Sequence, residues 1–273
     1  EKPMAADLDS AVAMADAARS ADRPLAIGFN LRFSTAAQAA RSFVLDGRLG
    51  MPVCARGSML ETRVPWWGPH HVSAISGGGA INSTAVHMID LLMWLAGNPR
   101  PLTATASTAR LFPRKRGATA RDASEANRYD VEDLAFGHVR FEQGFWMTIE
   151  GSWTWDAPGS ECCFDLVGDR AQVSAAPLRL WAERSGELVD LTGGASGEFD
   201  FPESVKRELA DVVSAVRDGR APTVTAAQAL EVQAVVDALY RSAADGREVA
   251  VGQTRPGEPA PAAGFARGGI SER

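Results

Sequence analysis

The chain has 273 residues, enough for one large or two small domains. Hydrophobic residues make up 45% and charged residues 23%, which excludes a fibrous or low-complexity chain, and a net charge of −6 argues against a nucleic-acid partner. No apolar run approaches the ~20 residues of a membrane span and no signal peptide is read, so no membrane partner is expected and the cytoplasm is the default.

In chain order, Glu1-Lys2-Pro3 is followed by a helix over residues 7–21, with Leu8, Val12 and Ala15 at helical spacing and Asp7 or Asp9 as its cap. Because the chain opens on Glu1 and runs straight into Lys2-Pro3, it reads as cut. LAIGFNLRF (25–33) is mostly apolar and reads as a strand buried on both faces. A strand end, a helix and a buried strand together look like the last units of a parallel α/β sheet. Ser34 or Thr35 caps a second helix ending at Gly47, and PVCARGSMLE (52–61) reads as a strand. Residues 62–76 form a loop with Trp66, Trp67, His70 and His71.

GGGAINSTAVHMIDLLMWLAG (77–97) is the most informative stretch. Asn82 or Ser83 can N-cap a helix that Gly97 ends with a left-handed stop. Val86, Met88, Ile89, Leu91, Leu92, Met93 and Leu95 point to nearly every side, so the helix is expected to be buried. Yet Ser83, His87, Asp90 and Trp94 share one face. Such a stripe, entered through a glycine loop, lines a site or belongs to a core helix whose His and Asp are satisfied by hydrogen bonds.

Beyond it, residues 103–111 alternate as a strand, and 114–128 are polar, as in a solvated loop or edge. Residues 131–155 form a hairpin about Glu142-Gln143-Gly144. Strands at 161–169, 171–176 and 178–184 extend an antiparallel or mixed sheet. Cys162 and Cys163 would point to opposite faces of their strand, which disfavours a mutual disulfide or a joint metal site. With Cys54 they make three cysteines without framework spacing, as in a reducing compartment. Helices follow at 201–219 and, capped by Thr225, at 225–246. From Gly252 the composition turns to Gly, Pro, Ala and Arg, a disordered tail.

These pieces resemble the Gfo/Idh/MocA family of nicotinamide-dependent oxidoreductases. Glu1-Lys2-Pro3 before a helix and LAIGFNLRF looks like the family's EKP motif. GGGAINSTAVHMIDLLMWLAG looks like its glycine loop and helix, usually GGGxLxDxGxHxxDxxxxLxG. VEDLAFGHVRFEQGFWMTIEGSW and the ending TAAQALEVQAVVDALYRSAADGREVAV look like its later sheet strands, last helix and last short strand. The resemblance implies an α/β fold in which residues 1–33 close a Rossmann domain and residues 34–251 form a substrate and oligomerisation domain, α+β in itself, with a broad, mainly antiparallel open sheet backed by helices; residues 252–273 are the tail. One sheet face would join subunits into a homo-oligomer. Two departures stand out. There is no GxGxxG after a strand, so the pyrophosphate-binding half is missing from this sequence. The motif's Asp is Ser83 here, and its Gly is Ala85.

The implied chemistry is hydride transfer between NAD or NADP and a hydroxyl of a sugar, inositol or related polyol. His87 falls at the family's His and is expected to be the general acid/base, a task that suits a side chain titrating near neutrality. Lys2 falls at the motif Lys, where an ammonium would stabilise developing alkoxide charge. Glu1, Lys2 and Pro3 would border the cofactor. Ser83 donates to substrate or caps the helix, and Asp90 positions the helix or His87. Asn30 and Arg32, at the end of the expected strand, face cofactor or substrate, or solvent. Trp66 and its neighbours contact a sugar face or pack. His138 is expected to be structural. No metal is expected: His70–His71 lacks partners at ligand spacing. The alternatives are a non-catalytic binding or assembly module of the same fold, and a lyase or isomerase using bound nicotinamide transiently.

Overall fold

The computed structural model describes residues 1–112 and 128–252. Most of the polar segment at 114–128 and nearly all of the expected tail lie outside them.

Three helices start where the sequence offers an oxygen to their free N–H groups. In α1 (Leu8–Ser20) the Asp7 carboxylate accepts from the Ser10 amide at 2.7 Å. In α2 (Thr35–Leu45) the Ser34 hydroxyl accepts from Ala37. In the last helix, α6 (Ala226–Asp245), Thr225 and Gln228 form a reciprocal capping box, and Gly246 ends the helix in the left-handed region.

Among the described residues, nine strands form one sheet in the order β8-β7-β6-β5-β1-β4-β3-β2-β9. They are β1 (Pro52–Leu60), β2 (Pro101–Ala109), β3 (Leu134–Phe141), β4 (Trp146–Ser152), β5 (Glu161–Gly168), β6 (Gln172–Ala175), β7 (Arg179–Arg184), β8 (Glu187–Asp190) and β9 (Val249–Ala250). β1 and β4 pair in parallel, and every other neighbouring pair is antiparallel. The sheet is therefore mixed, with its one parallel pair at the centre. β8 has no sequence expectation behind it; it is four residues long and largely exposed, an edge strand with little apolar signal.

One sheet face is covered by α4 (Val86–Leu95) and α6. Met147, Ile149, Leu166, Val173 and Leu180 of the sheet meet Met88, Leu92, Val235 and Leu239 of the helices in a single buried cluster. Fully burying one such side chain contributes about 1.5–3 kcal/mol. The other face alternates with this one and stays open: Phe136 is 43% and Trp146 38% exposed. The three cysteines are free, and burial pushes the Cys162 thiol up to about 12, away from thiolate reactivity.

The strand expected at 25–33 is not one. Ile27, Phe29, Leu31 and Phe33 are buried as the apolar pattern requires, but none of the nine strands pairs with this segment. Without a ladder its backbone turns on itself instead. Phe29 N–H donates to Ile27, and Asn30–Phe33 is a 3₁₀ turn. The segment leads into α2 and is held by side chains.

Candidate active site

All ten residues of α4 are buried. Its start differs from the expectation that Asn82 or Ser83 caps it. Ile81–Ala85 is already helical, one π-type turn running into Val86, with no local side-chain cap. The cap comes from far along the chain. The Glu132 carboxylate, just before β3, accepts from Gly79 N–H and Ile81 N–H, each at 2.9 Å, and from the Tyr240 hydroxyl of α6 at 2.8 Å. Burial pushes this carboxyl upward, against those three donors.

The glycine loop is close-fitting. Gly77 has φ +73°, and a Cβ there would lie 1.9 Å from the Ala6 carbonyl oxygen; one on Gly79 would lie 1.8 Å from the Glu132 carbonyl oxygen. Gly77→Ala is expected to destabilise by about 2 kcal/mol or more in denaturant unfolding, since strain and collision act together. Gly144→Ala, at φ +81° with open space around it, should cost only about 1 kcal/mol. Equal costs would mean that the loop gives way freely.

The polar stripe of the helix divides in two. Its far half is structural. Asp90 receives a bidentate ion pair from Arg32, Nε at 2.8 Å and Nη2 at 2.6 Å, with both side chains fully buried. Arg32 also donates to Gln228 Oε1 at 2.7 Å and to the Thr223 carbonyl. Trp94 lies under the guanidinium groups of both Arg32 and Arg41.

The near half gathers the groups with chemistry. The Lys2 ammonium donates to the Ser83 carbonyl. Burial lowers its pKa to about 8, with Glu1 opposing. His87 is buried with its Nδ1 unpartnered and Phe29 edge-on to its ring. Burial, then the Lys2 charge, push its pKa well below the ordinary value, so the imidazole is neutral at pH 7. Ser83 Oγ lies 3.1 Å from His70 Nδ1. The buried Asn82 Oδ1 has no hydrogen-bond partner among the described residues.

Of the residues expected to meet ligand, Lys2, Ser83 and His87 come together here, while three are engaged elsewhere. Asn30 donates to Ser204 Oγ at 2.8 Å and is buried. Arg32 is committed to Asp90 and α6, which corrects the expectation that it faces substrate or solvent. Trp66 packs in a second apolar cluster with Val64, Phe112, Tyr129 and Trp153, against His71. The exposed ring of the pair is Trp67, at 75%, edge-on to His70 with centroids 4.1 Å apart. His138 sits on the open sheet face beside Trp146. Glu132 had no signal in the local sequence, since it acts on the helix across a gap that only the fold closes; His70 belongs to the loop read as contacting a sugar face or packing, but its contact with Ser83 Oγ is visible only in the fold.

Residues 41–251 match the family described as "Oxidoreductase family, C-terminal alpha/beta domain", and the chain belongs to the Gfo/Idh/MocA oxidoreductases. It is 27% identical over 251 residues to D-glucoside 3-dehydrogenase of Escherichia coli, spanning 91% of this chain and 71% of that protein. It is 26% identical over 266 residues to inositol 2-dehydrogenase 2 of Saccharopolyspora erythraea, spanning 96% and 69%. Levoglucosan dehydrogenase in complex with NADH and L-sorbose has the same fold, with a TM-score of 0.79 at 20% identity over 93% of this chain and 73% of that one.

Proposed function

We propose that the chain carries the substrate-handling side chains of an NAD(P)-dependent dehydrogenase that oxidises a hydroxyl of a sugar, inositol or related polyol. The observation that carries this reading is the junction at Ser83: a half-buried ammonium of lowered pKa and a buried neutral imidazole approach the same turn. The similarity to D-glucoside and inositol dehydrogenases supports the substrate class.

The residues fit the reacting end of a nicotinamide cofactor. Lys2 is a half-buried ammonium bonded to a backbone carbonyl, and Asn82 Oδ1 and His87 Nδ1 are buried without a hydrogen-bond partner among the described residues. Glu1, Lys2 and Pro3 would border the cofactor, and a Rossmann domain, of which residues 1–33 form the closing part, would hold its pyrophosphate. When bound, the cofactor supplies the hydride acceptor. His87 takes the hydroxyl proton. Lys2 stabilises the alkoxide charge as it develops, in a site where burial strengthens that interaction.

The full-length protein with NAD or NADP and a panel of glucosides, inositols and anhydrosugars should produce reduced nicotinamide, read by absorbance. No reduction with any of them, and no nicotinamide binding by titration, would favour the non-catalytic assembly module; turnover without net reduction would favour a lyase or isomerase.

We further propose that the open sheet face joins copies of the chain, in the cytoplasm. Phe136 and Trp146 are large apolar rings standing in water on that face. Sedimentation should show an oligomer that Phe136→Glu with Trp146→Glu converts to monomer; a monomeric wild type at micromolar concentration would refute this.

A further inference from the structure

His70 lies on no element that the function has used, yet it is built into the site. Ser83 is the joint: its carbonyl takes the Lys2 ammonium, and its hydroxyl meets His70 Nδ1 at 3.1 Å. Two hydrogen-bonding groups therefore meet at one residue. Beside His70 stands Trp67, edge-on at 4.1 Å and 75% exposed, with no apolar cover for its ring. A polar donor next to a bare aromatic face is the arrangement that receives a sugar, whose ring carries C–H surface and hydroxyls together. Burial, the Lys2 charge and neighbouring His71 all lower the His70 pKa, so the ring is neutral at pH 7. Of its two tautomers, the one that accepts from Ser83 Oγ–H at Nδ1 carries the ring proton on Nε2.

We propose that His70 is a specificity-determining residue. Oriented by Ser83, its Nε2–H donates to a second hydroxyl of the polyol, one that does not react, while the ring edge lies against Trp67. The inference rests on the dehydrogenase reading and deepens it: the substrate must present, beside the hydroxyl that Lys2 and His87 act on, another hydroxyl on the same ring.

The test is steady-state kinetics and calorimetric binding on the full-length protein with its cofactor, using methyl β-D-glucoside and myo-inositol and then the monodeoxy series of whichever is turned over. His70→Ala should raise KM and the dissociation constant tenfold or more with kcat within threefold. For one deoxy analogue, wild type and His70→Ala should bind alike, because the hydroxyl lost is the one His70 holds. His70→Gln, whose amide N–H can reach the position of Nε2, should recover most of the loss. Gly68→Ala puts a Cβ 3.0 Å from the His70 Nε2, so the ring must give way by a few tenths of an ångström, and it should weaken binding in the same KM-only manner. Wild-type binding in His70→Ala, an equal penalty on every deoxy analogue, or a fall in kcat alone would overturn the assignment. His87→Gln separates the two readings. If it abolishes turnover while His70→Ala changes nothing, only this inference fails. If it retains turnover, His87 leaves the mechanism and His70 is judged on the deoxy series alone; if no glucoside, inositol or anhydrosugar is oxidised, the dehydrogenase reading fails and this inference with it.

Discussion

His87→Gln is expected to lower kcat by about 10²- to 10⁴-fold, the usual contribution of a positioned general acid/base, with the protein still folded. Gln fills a similar volume and leaves the neighbouring Phe29 ring its contact, but it cannot accept and release a proton near neutrality. Lys2→Met should cost a comparable factor by removing the charge that steadies the alkoxide. The pH profile of kcat/KM distinguishes the two. His87 works neutral, and its pKa lies well below 6.5, so the acid limb falls below that value. Lys2 works charged, and its pKa is about 8, so activity declines as pH rises through 8. Lys2→Arg keeps the charge and should move the alkaline limb upward. Lys2→Met removes one of the two causes that depress His87, so the residual activity should show an acid limb at higher pH than wild type. Profiles that do not move in either Lys2 variant, or wild-type turnover in His87→Gln, would remove these residues from the mechanism.

What could be read from the sequence is what local pattern controls. The burial of Val86–Leu95, its single polar stripe, the stop at Gly97, the hairpin about Glu142–Gly144 and the cap at Thr225 each depend on residues within a few positions of one another. Residues 25–33 show the limit of that reading. Alternating apolar side chains announce burial, and Ile27, Phe29, Leu31 and Phe33 are buried; but a strand also needs a neighbour to complete its ladder, and that neighbour is not a local property. The start of the central helix fails in the same way. Asn82 and Ser83 have the chemistry of caps, yet Glu132, some fifty positions away, takes the free N–H groups, which releases Asn82 into the helix and Ser83 to join Lys2 and His70. Asp90 is legible as structural, but its partner is not: Arg32 reads as a ligand residue because it stands at the end of an expected buried strand, where open α/β sheets bind ligands.

That pair should produce the largest stability effect in the chain. Asp90→Leu is expected to cost about 3–5 kcal/mol in denaturant unfolding, because it leaves the Arg32 guanidinium buried with only Gln228 and the Thr223 carbonyl to satisfy it. Arg32→Leu should cost less. A guanidinium cannot shed its proton, whereas a carboxyl can take one, and burial already pushes Asp90 upward against the pull of Arg32. With Arg32 gone, the folded pKa of Asp90 lies above its unfolded value, so the folded state binds that proton more tightly. The deficit of Arg32→Leu should therefore shrink as pH falls toward 4 and grow as pH rises. The double variant should be at least about 2 kcal/mol more stable than the sum of the single losses, since no buried charge is left unpaired. Additive losses would mean the two side chains do not neutralise each other. The same double variant decides the role of Arg32 in the reaction. If the pair only anchors the turn at Asn30–Phe33 to the central helix and to α6, a folded double variant keeps turnover within about tenfold of wild type, because Lys2 and His87 retain their places. If stability returns and turnover falls as far as in His87→Gln, Arg32 touches the substrate after all.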